Sequence, residues 1–420
     1  MAHRKIREFD GKNLLASQLN LDYKAILLTP QTNLTTLPQQ YPWLLQNQLV
    51  AKPDQLFGKR KQYNLVLINA NWEQTKLWLK DHQNKEVTIG TITDKLTHFL
   101  IEPFIPHQEE YYINITSNRT HDLIQFSTQG GFNIENRWES VKTITIPTLQ
   151  HLTTEKITAI IQESKQEHHD ILTKCIQSLY TTYLNQNFTS LEINPFTIIT
   201  SSTNQYAIHL LDLVAQVDDC AKFKHQPDWQ HLQFPQPFGQ HLSPEESYIK
   251  QLDENSGASL KLTILNPKSR IWNILSGGGA SVICLDSLVS LGLEKEIANY
   301  GEYSGNPTTQ ETYEYTKTIL KLMTTHPHPK GKVLIIAGAI ANFTDIEKTF
   351  KGIIRAITEY QTPLREQHIS IYVRRGGPND QIALKQIKNT CEQLQIPVLV
   401  YGPETTMTTM FPLIAEKIKE

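Results

Sequence analysis

Four cysteines in 420 residues leave little for covalent or metal scaffolding. Cys175, Cys220, Cys284 and Cys391 are far apart and form no CxxC pair, which argues against a disulfide framework or a zinc site. Reduced thiols in a cytoplasmic protein are the matching expectation. Charge of one sign is lacking too. The 40 Lys and Arg are balanced by 42 Asp and Glu, for a formal net charge of −2, so there is no basic face to argue for nucleic acid. No apolar run approaches the ~18 residues a membrane span requires. The opening MAHRKIREFD has no apolar core of a secretory signal, so none is expected. There is no internal repeat and no low-complexity tract. The fifteen histidines are scattered. His326 and His328 alternate with prolines, and His168 and His169 read as surface positions on a helix. No histidine has a nucleophile or ligand partner at useful spacing, so none is expected to be catalytic.

What is present concentrates in the last third. Val333 to Asp345 reads VLIIAGAIANFTD, and Ile369 to Asn379 reads ISIYVRRGGPN, with a helix between them. Short continuous apolar runs bounded by Gly mark strands buried on both faces, and two of them flanking a helix require a parallel sheet. Both strand exits carry residues suited to anions: Gly338, Asn342 and Thr344 with Asp345 opening a helix, then Arg374, Arg375, Gly376 and Gly377. Ligands of open α/β sheets sit beyond the carboxyl ends of the strands, where helix N-termini offer free N–H groups. Arg adds a fork that fits a carboxylate. An Arg at a strand end is also often a surface ion pair. Two further exits favour the ligand reading: Gly277, Gly278 and Gly279 after Ile271–Leu275, and Gly402 and Thr405 after Pro397–Tyr401. The pattern predicts a pocket for a small, multiply negative molecule.

The first half is mixed. Lys12–Asn20 reads as a helix and Tyr23–Leu28 as a strand. Lys52 follows an apolar run and precedes Pro53 at a strand end. Lys59, Arg60 and Lys61 are either a solvated face or a cover for phosphates. The segment Glu102-Pro103-Phe104-Ile105-Pro106 suits a connector at a sheet edge. Ser190–Ile199 and Tyr206–Val214 alternate like a hairpin joined by a polar break at 200–205. Glu192 and Asn194 share one face, and Asp212 lies in an otherwise apolar run. Such oxygens are hard donors of the kind Mg²⁺ takes, or they are hydrogen bonded to backbone; both readings stand. Prolines 227, 235, 237 and 244 place a linker at 225–243, with the parallel domain starting near Glu246.

Several long stretches carry a family resemblance. They include KIRE at Lys5–Glu8, AKPDQLFGKR at Ala51–Arg60, IEPFIPH at Ile101, LEINPF at Leu191 and SGASLKLTILNPKSRIW at Ser256. PWLL at Pro42, GGGASVI at Gly277, NYGEYSG at Asn299, IANFTD at Ile340, YVRRGGPN at Tyr372 and YGPETTMT at Tyr401 complete the set. The chain resembles, over essentially its whole length, the small subunit of a two-subunit ATP-citrate lyase. The architecture is shared with succinyl-CoA synthetase β-subunits, from which NYGEYSG and IANFTD separate it. The resemblance implies an α/β chain with a two-lobed ATP-grasp domain at 1–240 and a parallel-sheet, flavodoxin-like domain of the CoA-ligase type at 246–420. It implies ATP binding by Lys52, Arg60, the hinge backbone at Pro103 and Ile105, and Glu110. It implies Mg²⁺ on Asn194 and Asp212. Citrate is implied on Asn342, Thr344, Tyr360, Arg375 and Gly277 to Gly279. The phosphorylated histidine, the CoA site and the cleavage module are implied to lie in a large partner subunit, part succinyl-CoA synthetase α-like and part citrate synthase-like, commonly four of each. One departure stands out. Lys61-Gln62-Tyr63-Asn64 lacks the glycine that the family places over the phosphates. It motivates an alternative, a citrate-binding scaffold with a weakened ATP site. Another acid–CoA ligase β-subunit, using succinate or malate, is the remaining alternative.

Overall fold

The computed structural model describes residues 3–131, 134–200 and 205–419. They form two units, 1–241 and 242–420, each α/β.

In the first unit two sheets each bury their own core. Ile26–Leu28, Phe99–Pro103, Leu49–Pro53 and Leu67–Ala70 form a four-stranded antiparallel sheet. The helix Trp72–His82, with an Asn71–Gln74 capping box, shares its core. A seven-stranded sheet runs in the order His3–Ile6, Leu213–Asp218, Phe188–Thr200, Tyr111–Ser117, His121–Ser127 and Lys142–Pro147, with Tyr206–Leu210 also on Phe188–Thr200. Helices Thr154–Ile161 and His169–Asn185 share its core. The 188–200 and 206–210 strands pair antiparallel, as their alternation predicts. Most of the expected break at 200–205 lies outside the described residues. The Asn194–Pro195 peptide is cis.

The helix expected from Lys12 instead begins at Glu8. Arg7 provides no side-chain cap there. Asp54, distant in sequence, accepts from the N–H of Glu8 at 2.9 Å and of Phe9 at 3.0 Å. A cap supplied from 46 residues away has no local signature. The proline-rich 225–241 stretch is not a free linker. Trp229 is buried and donates to Gln186 Oε1, and Phe238 joins the core of the four-stranded sheet. Apolar residues between the prolines hold the segment to the unit. His168 is buried against the Tyr111 hydroxyl at 2.7 Å, not on the surface, because it precedes the helix at a turn packed over the sheet.

The second unit holds a six-stranded sheet. Ser259–Ile264 is an antiparallel edge beside Asn299–Ser304. The other five strands, Ile271–Ser276, Asn299–Ser304, Val333–Ile340, Ser370–Gly376 and Val398–Tyr401, are parallel. Numbered along the chain, these five lie in the order 2-1-3-4-5. Side chains alternate strictly between two cores. Trp272, Ile274, Leu334 and Ile336 meet helices Thr309–Thr325, Ile346–Glu359 and Asp380–Gln393 on one face. Ile271, Leu275, Val333 and Ile335 meet Gly278–Ser290 and Met410–Lys419 on the other. Among the described residues, no helix is long and apolar enough to cross a membrane.

Asp10 lies in the first turn that Asp54 caps, and its Oδ2 is buried without a hydrogen-bond partner. Burial, then the like charge of Asp54, pushes its carboxyl up to about 7, against Arg7 and a backbone hydrogen bond from Gln233. A carboxyl whose pKa rises on folding lowers stability as pH climbs from its ordinary value, 3.8, to its folded value. Asp10→Asn is therefore expected to stabilise the chain by an amount that grows between about pH 4 and pH 7 and then levels off. Urea unfolding across that range checks this; a gain independent of pH would contradict it.

Candidate functional site

The first unit's site is built on a buried acid. The Glu8 side chain is 2% exposed, yet it meets three cations: Lys12 Nζ at 2.8 Å, Lys52 Nζ at 2.6 Å and Arg60 at 2.7 Å. Burial alone would raise its pKa, but Lys12, Lys52 and Arg60 together hold it well below the usual carboxylate range. Glu102 takes the other side of Lys12, with both carboxylate oxygens within 3.0 Å, and accepts from Tyr23 at 2.8 Å. Asp212 closes the group at 2.6 Å from Arg60 and 3.7 Å from Lys52. Three acids thus offset three cations. Their exposures differ in a way that matters. Asp212 is 39% exposed, so it can turn towards a ligand, whereas Glu8 cannot.

Each element delivers its side chain for a traceable reason. Glu8 and Lys12 are four apart on one helix face. Lys52 sits in the 49–53 strand opposite Leu100 of the 99–103 strand, which puts it on the same face as Glu102, two residues further on, at 3.7 Å. Arg60 opens a short 3-10 turn, Arg60–Tyr63, and donates to Pro53 O at 2.8 Å. The glycine-poor loop still turns sharply, through left-handed conformations at Lys59 and Asn64. Gly131 has φ +91°, and a Cβ there would lie 2.1 Å from Glu110 Oε2. Its N–H donates to Asn194 Oδ1 at 2.7 Å, so one glycine steadies both residues.

A cavity of about 840 Å³ opens between the two sheets of this unit. Lys52, Arg60, Pro103, Ile105, Glu110, Asn194 and Asp212 all line it, as do Glu192, Lys61 and Gln62. All seven residues singled out for nucleotide and metal are thereby brought together. Sequence reasoning missed Glu8, Lys12 and the Glu102 side chain as parts of the site. The one signal available was an acid and a lysine four apart, Glu8 and Lys12.

In the second unit the strand order reverses between 271–276 and 333–340, whose following helices leave on opposite faces. A crevice forms at such a switch point. Arg375, 3% exposed, spans it: it donates to Ser276 Oγ at 2.7 Å and to Ala339 O. Its Nε is buried without a hydrogen-bond partner. Gly338 makes room, since a Cβ there would lie 2.9 Å from the Arg375 guanidinium. Arg374 points to the other face and is structural, bonded to Gly338 O at 2.9 Å and Thr405 O at 3.0 Å.

The two helix N-termini at the crevice differ. Asp345 caps its own helix through Lys348 N–H. Gly277 supplies no side-chain cap, so the N–H groups of the helix starting at Gly278 stay available to an anion. Asn342 is exposed and Thr344 is 7% exposed on the loop between strand and helix. Tyr360 is not brought to this crevice. It caps the far end of the unbroken helix Ile346–Glu359, roughly 20 Å along the axis from Asp345.

Comparison with known proteins agrees across both units. Residues 2–229 match the family model described as the ATP-citrate synthase ATP-grasp domain, and residues 240–416 match ATP citrate lyase citrate-binding. The structure of ATP citrate lyase from Methanothrix soehngenii in complex with citrate and coenzyme A is 45% identical, with TM-score 0.90 over 100% of both chains. ATP-citrate synthase alpha chain protein 2 of Arabidopsis thaliana is 41% identical over 97% of each chain. Human ATP-citrate synthase is 43% identical over 98% of this chain, which spans 38% of that longer protein.

The buried acid yields a stability test. Glu8→Gln removes the shared partner of three buried cations, and breaking a buried ion pair costs about 3–5 kcal/mol. Urea unfolding is expected to show a loss of that size; an unchanged midpoint would mean that Glu8 does not hold the cluster together.

Proposed function

The chain belongs to the ATP-citrate lyase family, and from that premise we propose that it binds ATP in its first unit and citrate in its second. The observation carrying this reading is the convergence of Lys52, Arg60 and Asp212 on one large cavity. In this reading the first unit is a two-lobed ATP-grasp domain, one lobe for each sheet. The second is flavodoxin-like, as its 2-1-3-4-5 strand order supports.

The reaction begins with transfer of the γ-phosphoryl group of ATP to a histidine of a large partner subunit, releasing ADP. A citrate carboxylate takes the phosphoryl group from that histidine, giving citryl phosphate. The thiol of CoA, bound by the partner, displaces phosphate to give citryl-CoA, which the partner cleaves to acetyl-CoA and oxaloacetate. A free carboxylate is a poor acyl donor, and phosphorylation gives it a leaving group. This chain contributes positioning and charge. Lys52 and Arg60 would hold phosphates, the hinge at Pro103 and Ile105 the adenine, and Glu110 the ribose. Asn194 and Asp212 would hold Mg²⁺, whose charge offsets that of the phosphates; oxygen donors suit that ion, and Asp212 is the most exposed acid of the cluster. The Gly277–Gly279 N–H groups, Arg375, Asn342 and Thr344 would receive citrate carboxylates. A hetero-oligomer with four of each subunit follows, in a cytoplasm that four unpaired cysteines suit.

One observation favours a second reading. Lys52 and Arg60 are already paired with acids, and the Lys61–Asn64 run lacks the glycine that the family places over the phosphates. A scaffold that binds citrate but leaves its nucleotide site idle would look like this. Titration calorimetry separates the two. Mg-ATP is expected to bind the chain, free ATP to bind more weakly, and Asp212→Ala to weaken Mg-ATP by at least about tenfold, or 1.4 kcal/mol, with citrate unaffected. No Mg-ATP binding would select the scaffold.

The citrate site has its own test. Arg375→Ala is expected to weaken citrate by roughly 2–5 kcal/mol, because a buried carboxylate loses its forked partner. An unchanged citrate isotherm would remove Arg375 from the site.

A further inference from the structure

We propose that Glu302 makes the crevice of the second unit selective for an acid that carries a hydroxyl group as well as carboxylates. The inference rests on the citrate reading above and adds a specificity residue to it. Glu302 lies in the Asn299–Ser304 strand, level with Leu275, one residue before the 271–276 strand ends. Its side chain faces the first turn of the Gly278 helix: a Cβ on Gly278 would lie 3.3 Å from Glu302 Oε1. The carboxylate is held from one side only. Tyr300 donates to Oε2 at 2.5 Å, and Ser281 Oγ lies 2.8 Å from the Tyr300 hydroxyl while donating to Gly278 O. Burial, then the hydrogen bond to Glu302, raises the Tyr300 pKa, which keeps the phenol a donor. Oε1 makes no hydrogen bond among the described residues.

The chemistry of that free oxygen decides what it can meet. An ionised carboxylate only accepts hydrogen bonds. The uncapped N-terminus beside it favours negative charge. A ligand carboxylate brought to Oε1 would be repelled, and would instead take the N–H groups of the Gly278 turn or Arg375 on the other side of the crevice. A hydroxyl would donate to Oε1. An acid lacking the hydroxyl leaves Oε1 desolvated and unmatched, the arrangement by which sites reject analogues without a hydrogen-bonding group.

The test compares citrate with tricarballylate, which has the same three carboxylates and no hydroxyl, by calorimetry on the full chain. The wild type is expected to prefer citrate by at least about tenfold. Glu302→Gln is expected to bring the two to within about threefold of each other, with tricarballylate bound as well as before or better, since a repulsive charge is gone. A merely structural role would weaken both ligands together and leave their ratio unchanged. Should Glu302→Gln not fold, Glu302→Asp withdraws the carboxylate by one methylene and must show the same loss of preference. A wild type that binds both acids equally, or a variant that keeps the preference, overturns the role of Glu302 and leaves the citrate reading standing. A wild type that binds neither overturns the citrate reading itself.

Discussion

The first unit depends on one carboxylate shared by three cations. Glu8 is nearly inaccessible to water, and an ionised carboxylate in such a place is costly unless its charge is met directly. Lys12, Lys52 and Arg60 meet it at 2.6 to 2.8 Å. Those cations come from the first helix, the central strand of the smaller sheet and the turn that follows it. Glu102 and Asp212 then join a hinge strand and the larger sheet to the same group. Segments distant in sequence are thus held by charges that would each be unfavourable alone. Asp54 makes the arrangement reproducible, because capping the helix at Glu8 fixes where that carboxylate stands.

The two units prepare for anions in different ways. In the first, the cations aimed at the cavity are already occupied, and Asp212 stands against Arg60 at 2.6 Å. Of the three acids there, Asp212 is the most exposed. In the second, Arg375 is buried with its Nε unmatched, and the Gly278 helix has no side-chain cap. There Arg375 already serves Ser276 and Ala339, and its Nε alone is left buried without a partner.

NYGEYSG shows how a single motif serves fold and site together. Asn299 and Asn273 exchange side-chain to backbone hydrogen bonds at 2.8–2.9 Å, which tie the strand where the ladder is short. Gly301 is required by close approach, since a Cβ would lie 2.4 Å from Asn273 O. Tyr300 and Glu302, on the opposite face from Tyr303, bond to each other beside the first turn of the Gly278 helix.

Periodicity and punctuation determined much of this from sequence alone. The parallel strands, the hairpin at 188–210 and the helices between them follow from apolar alternation and from Gly at strand exits, because these depend on residues close in sequence. The residues that line the first unit's cavity were named through the family resemblance, because each belongs to a short run that the resemblance carries. Strand order was not legible: nothing local tells the 299–304 strand to lie outside 271–276, and with that order goes the crevice that Arg375 spans. The helix start at Glu8 was hidden because its cap comes from Asp54. The burial of His168 and the packing of 225–241 were hidden because both are set by what lies across the core. Tyr360 fell at the wrong end of its helix because matching a motif carries residue type and order, not distance. Glu8, Lys12 and Glu102 read as ordinary charges along the chain. Only the tertiary structure removes water from them, and desolvation turns ordinary charges into a cluster that each unpaired member would destabilise.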